Sequence, residues 1–185
     1  MSLKARLRGA IVALVTAVVI VMSLLYLSDF TKEVFSGASD RADLVADQFR
    51  VYLENHLRLE TATHQIHPAT PQEWEDTWIE IVRRDPDVTE MLKDTLAKAD
   101  LALAILVTDD HGNILAAAPA PRDSASAAAL TGAKDIHKVE QRWWAVNLWD
   151  LITKRENYAS TRPVGLEGSK HVLFNITVIV RSVRT

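Results

Sequence analysis

His56, Glu60 and His64 recur every four residues, and His67 follows three later. On a helix this stacks two imidazoles and a carboxylate one turn apart on one face, an arrangement able to converge on zinc. The same spacing describes a solvated helix face near its end. No HExxH pair and no cysteine accompanies it, so no metal or other cofactor is expected. Asp109, Asp110 and His111 put two carboxylates beside an imidazole, the ingredients of an acid–base pair. Their place directly before Gly112 explains them better as turn formers, because Asp bonds its own nearby backbone and Gly supplies a positive φ. There is no GxSxG elbow and no GxxxxGK[ST] loop. The absence of cysteine excludes thiol catalysis and disulfides. No catalytic residues are expected, and the chain reads as a non-enzyme.

Arg142, Trp143, Trp144 and Trp149 form the most informative cluster. Adjacent helix positions point about 100° apart. One of Trp143 and Trp144 is therefore expected on the core side and the other over a cavity. Arg142 beside them suits a ligand carboxylate, which a guanidinium can grip with two parallel hydrogen bonds. The competing reading makes the tryptophans core filling and Arg142 a surface residue. With Tyr158 and Arg162 from the next apolar segment, the candidate ligand-binding set is Arg142, Trp143, Trp144, Tyr158 and Arg162.

These residues must be positioned by elements whose arrangement starts at a membrane. Residues 9–27 carry no charge and no proline and are mostly Val, Ile, Leu and Ala. As a helix they span about 28 Å, close to the hydrocarbon thickness of a bilayer. Lys4, Arg6 and Arg8 precede the run, so residues 1–8 are expected in the cytoplasm and everything after Leu27 outside it. A cleaved signal peptide fits less well, because the apolar run is long and the small residues Ser36-Gly37-Ala38 lie well past its end.

Beyond Leu27 lie 158 residues, enough for one domain with its own core. They hold all 24 acids against 18 bases, a net charge of −6 that argues against nucleic-acid binding. Residues 28–67 have no break but Gly37, so a long juxtamembrane helix is expected to continue the span. Phe35, Ala38, Ala42, Val45, Phe49, Tyr52, His56 and Leu59 alternate spacings of three and four, a heptad seam able to pair two helices in a homodimer. Leu44, Val51, Leu53 and Leu57 add apolar surface beside it, and both stripes can equally serve the chain's own core.

Residues 68–185 are expected to form the folded domain. Thr70, Pro71 and Glu73 mark a capped helix start, and Asp85-Pro86 another. Residues 101–108 and 113–118 read as a β-hairpin around the 109–112 turn, 124–155 as a helix interrupted near Gly132, and 158–164 with 170–183 as two further strands. The order predicts an α+β fold, with an antiparallel sheet and helices on one face or end.

The hairpin Leu106-Val107-Thr108-Asp109-Asp110-His111-Gly112-Asn113-Ile114-Leu115 and the closing strands, Tyr158, Arg162-Pro163-Val164-Gly165-Leu166 and Ile176-Thr177-Val178-Ile179-Val180, resemble extracytoplasmic PAS-like (Cache-type) sensor domains of bacterial transmembrane receptors. The closest resemblance is to the input region of sensor histidine kinases. It implies a ligand pocket on the sheet face under the connecting helix, an unidentified small-molecule ligand, a dimer, and signalling by small helix shifts. Many Cache domains carry an Arg followed by paired aromatics in this region. The spacing at 142–144 departs from the amino-acid-binding version, so that ligand class does not transfer. No second span, phosphoacceptor segment or ATP-binding domain occurs here. The expectation is therefore an input fragment of a two-component receptor in the bacterial inner membrane, its sensor domain periplasmic or extracellular. The alternatives are input to a chemoreceptor or cyclic-dinucleotide enzyme, or a complete membrane-anchored structural or assembly protein.

Overall fold

The computed structural model describes residues 3–66, 68–154, 156–165 and 172–181. Helix α1, Leu3–Thr63, is continuous over 61 residues, about 92 Å at 1.5 Å per residue. It contains one stretch long and apolar enough to cross a membrane, and no protein covers that stretch. At Thr31 the environment changes. Thr31, Phe35, Ala38, Ala42, Ala46, Phe49, Leu53 and Leu57 are buried at spacings of three and four, so one face of α1 enters the domain's core.

This divides the predicted heptad seam. Phe35, Ala38, Ala42 and Phe49 lie in the chain's own core, His56 meets Asp85, and Tyr52 and Leu59 are exposed. The reason is geometric. A 3.5-residue repeat drifts about 20° per heptad on a straight helix of 3.6 residues per turn. A seam that begins toward the sheet therefore ends toward solvent.

Helix α1 stops at Thr63, slightly earlier than expected, and Gln65 adopts φ 53° in the turn that follows. Helix α2, Pro71–Arg84, starts as predicted. Thr70 accepts the Glu73 N–H at 3.2 Å, while the Glu73 carboxylate reaches back one residue further than in a capping box, to the Ala69 N–H at 2.7 Å. Asp85 ends α2 and caps α3, Pro86–Lys98, by accepting the Asp87 N–H at 2.8 Å. Strands β1, Ala102–Asp109, and β2, Ile114–Ala118, form the predicted hairpin, with Gly112 at φ 83° in its turn.

Instead of one interrupted helix, the chain next forms α4, Ser124–Thr131, a two-residue strand β3, Lys134–Asp135, then α5, Ile136–Glu140, and α6, Trp144–Thr153. The first break falls at Gly132, the C-cap of α4 and the interruption expected there, and Asp135 then accepts the His137 N–H at 3.0 Å and restarts a helix. No capping side chain marks the second break, at Trp143. Strands β4, Asn157–Gly165, and β5, Val172–Arg181, complete the sheet. Most of the predicted 165–168 turn lies outside the described residues.

The fold is α+β, with strand order β2-β1-β5-β4-β3. The sheet is mixed, where a wholly antiparallel one was expected. Strand β3 pairs parallel to β4, because the chain between them crosses over through α5 and α6 rather than turning in a hairpin. Strand β5 is central, flanked antiparallel by β1 and β4. One face of the sheet packs Ile105, Val107, Phe174, Ile176, Val178 and Val180 against α1, α2 and α3. The other is lined by smaller side chains, Ala104, Ala117 and Ala159 with Leu106 and Ile179, under Leu130 of α4.

Candidate functional site

The five sequence-predicted residues do not converge. Arg142, Trp143 and Trp144 are neighbours at the α5–α6 corner. Arg142 reaches Asp150 at 3.6 Å, and the two indoles meet edge to face at 6.2 Å. Trp143 is exposed and Trp144 half-buried, so neither fills the covered sheet face as expected. Lys154 Nζ donates to Asp150 at 2.9 Å and, against the effect of burial, holds that carboxyl below its ordinary range. Tyr158 is buried edge-on against Phe35, with ring centroids 5.4 Å apart. Burial, with the nearby negative charges of Glu156 and Asp150, pushes its phenol up to about 12.

Arg162 belongs to a polar junction between α1 and β4. Its Nη2 lies 2.6 Å from Asp43 Oδ2. Asp43 also accepts the hydroxyl of fully buried Ser160, and His137 Nε2 stands 3.3 Å from the same carboxylate. The other ring nitrogen, Nδ1, lies 3.2 Å from Ser39 Oγ. With the proton on Nε2, His137 donates to Asp43 and accepts from Ser39. The order serine–histidine–aspartate is that of a nucleophilic relay. Ser39 is buried, however, and the arrangement ties together α1, α5 and β4.

The histidine ladder is also divided. His56 Nε2 lies 2.7 Å from Asp85 Oδ2, His64 pairs with Glu60 at 3.2 Å, and His67 is outside the described residues. Burial would raise the Asp85 carboxyl, but bonds from His56 and the Asp87 N–H hold it below its ordinary value. Asp109 is spent on its turn: it accepts the N–H groups of His111 and Asn113 at 3.0 and 2.7 Å and the Asn113 amide at 2.8 Å.

The geometry instead opens a hollow of about 340 Å³ on the sheet's second face, beneath α4. Its size is within the usual range of small-molecule sites. It exists because Ala133 and Ala159 leave room below Leu130. Its polar lining comes from β1, β4 and β5: Thr108, Thr161, Asn175 and Thr177. The Thr161 and Thr177 hydroxyls lie 3.0 Å apart across the strands. Thr108 is only 8 % exposed. Asp109, Asp110 and Asp135 stand at the rim, and among the described residues no Lys or Arg lines the hollow. Hydroxyls, an amide and carboxylates suit a hydroxyl-rich or amine-bearing molecule, while a carboxylate ligand would meet like charge.

None of the five predicted residues lines this hollow. The signal that could have found it is period-two alternation. Thr108, Thr161, Asn175 and Thr177 occupy strand positions facing away from Val107, Ile176 and Val178. Compared with protein-family models, curated proteins and solved structures, the chain matches none of them.

Proposed function

We propose that the chain is a membrane-anchored, extracytoplasmic input module of a two-component sensor histidine kinase, with a PAS-like sheet that takes a small hydroxyl-rich or amine-bearing molecule in the hollow beneath α4. The observation that carries this reading is the continuity of α1. The same unbroken helix holds the apolar run and supplies Phe35, Phe49, Leu53 and Leu57 to the core. A ligand that favours one packing of the sheet over another biases the rotation or height of α1 by its differential affinity. The junction at Asp43 ties β4, whose Thr161 lines the hollow, directly to α1. A homodimer fits the uncovered side of α1, where Phe30, Leu44, Val51, Tyr52 and Leu59 are exposed. The amino terminus is cytoplasmic on this reading, from the bases before Gly9.

One alanine inserted between Asp29 and Phe30 rotates everything beyond it by about 100° relative to the span. In the complete receptor this insertion is expected to shift basal output and weaken the ligand response, and three more alanines are expected to restore much of both. Unchanged output with all insertions would overturn transmission through α1. An alkaline phosphatase fusion after Thr185 that is inactive in a Gram-negative host would overturn the orientation.

A further inference from the structure

Helix α6 packs Leu151 against the core but is otherwise reversed. Its fully buried residues are polar, Asn147 and Asp150. Asn147 donates to the Val139 carbonyl at 2.7 Å, and Asp150 is held by Arg142 and Lys154. Its outward side carries Val146, Trp149 at 64 % exposure and Ile152 at 69 %, with Trp143 at 68 % just before it. A helix facing water places these residue types the other way round. Large exposed apolar groups clustered on one helix point to a surrounding other than water.

The position of α6 says which surrounding. Thr31 lies four residues beyond Leu27, about 6 Å along the helix, and is already 1 % exposed. The folded domain therefore begins at the level of lipid headgroups, which extend several ångströms beyond the hydrocarbon. Phe35, about 12 Å beyond Leu27, stacks edge-on with Tyr158, five residues after α6 ends, and α6 itself packs against α1. So α6 lies at the membrane end of the domain. Tryptophan is the side chain that favours the bilayer interface, where its ring is apolar and its N–H stays wet. Arg142 and Lys154 flank the helix, half-exposed, and with Asp150 between them leave one net positive charge beside it.

We infer that α6 rests on the bilayer surface, with Trp143, Trp149 and Ile152 seated among lipid headgroups and upper acyl chains. The inference rests on α1 spanning the membrane and is independent of what the hollow binds. The lipid contact gives the domain a second point of attachment beside α1. It fixes the tilt of the sheet relative to the membrane plane.

The test uses the full chain, which has no cysteine, in vesicles of phosphatidylcholine and phosphatidylglycerol. Nitroxide labels are attached singly through Trp149→Cys, Ile152→Cys, Val15→Cys in the apolar run, and Leu59→Cys. Leu59 is exposed and lies about 48 Å from Leu27 along α1. Collision with oxygen, which concentrates in lipid, is compared with collision with a water-soluble nickel chelate. The ratio at 149 and 152 is expected to be several-fold higher than at 59 and to approach that at 15. A ratio at 149 and 152 equal to that at 59, with 15 reading as lipid, overturns the inference. Shielding of 149 and 152 from both reagents also overturns it, and dipolar broadening between labels would then identify a second copy as the cover. A water-like reading at 15 refutes the membrane span itself, separately from the placement of α6.

Discussion

Replacing Asp43 by alanine strikes the junction between α1 and the sheet. Three contacts disappear together: the hydroxyl bond from Ser160, the Arg162 pair at 2.6 Å and the His137 contact at 3.3 Å. Ser160 is fully buried, and leaving its hydroxyl unsatisfied costs about 1–3 kcal/mol. Arg162 and His137 are each more than a third exposed, so solvent screens them and they add about 1 kcal/mol together. The expected loss is about 3 kcal/mol. For a domain of this size that lowers Tm by roughly 6–12 °C. The assay is a near-ultraviolet circular dichroism melt of the full chain in detergent. The sharper reading comes from a cycle with Ser160→Ala. Alone, that substitution is expected to destabilise; in the Asp43→Ala background it is expected to restore about 1 kcal/mol, because the orphaned hydroxyl is gone. A Ser160→Ala effect identical in both backgrounds, or a Tm loss below about 2 °C for Asp43→Ala, would refute the assignment of Asp43 as the tie.

Two other outcomes follow from the structure. The Tyr158 phenol is raised from 10.0 to about 12, so its contribution to stability is complete below pH 10 and is lost as pH rises from there toward 12. Tyr158→Phe should flatten that alkaline limb and remove the latest phase of the phenolate absorbance titration, and an unchanged limb would refute burial as the cause. Ala159→Leu fills the hollow from the sheet side. It is expected to leave Tm within a few degrees and, on the function proposed above, to abolish ligand response in the complete receptor; a normal response with the leucine in place would mean the ligand binds elsewhere.

Local chemistry was legible where one residue decides the backbone. Thr70, Asp85 and Gly112 marked two helix starts and a hairpin turn, and the structure has each of them. The apolar run was equally legible, since nothing in 9–27 offers a polar face. Two things were not. The face of α1 that meets the sheet was obscured because heptad and helical periods agree over one or two turns and separate over six. Phe35 and Tyr52 belong to one seam in the sequence and to opposite environments in the fold. The ligand candidates were chosen by residue type, and type misled. Trp143 is turned outward, Arg142 and Arg162 are committed to Asp150 and Asp43, and the open hollow is lined by threonines that looked like ordinary strand formers.

The order of the sheet bears on how the molecule comes to be made. Strand β5 lies between β1 and β4, yet it follows both of them in the sequence. In the order of synthesis, α1 and the β1–β2 hairpin appear first, with the core-facing side of α1 uncovered and one edge of β1 open. The β1 edge is not closed until residues 172–181 arrive. The β1–β5 pairing is therefore non-local and late, the pattern that slows folding and leaves apolar surface exposed on the way. A growing chain of this kind keeps the edge of its hairpin unpaired until a ten-residue strand slots between two waiting neighbours.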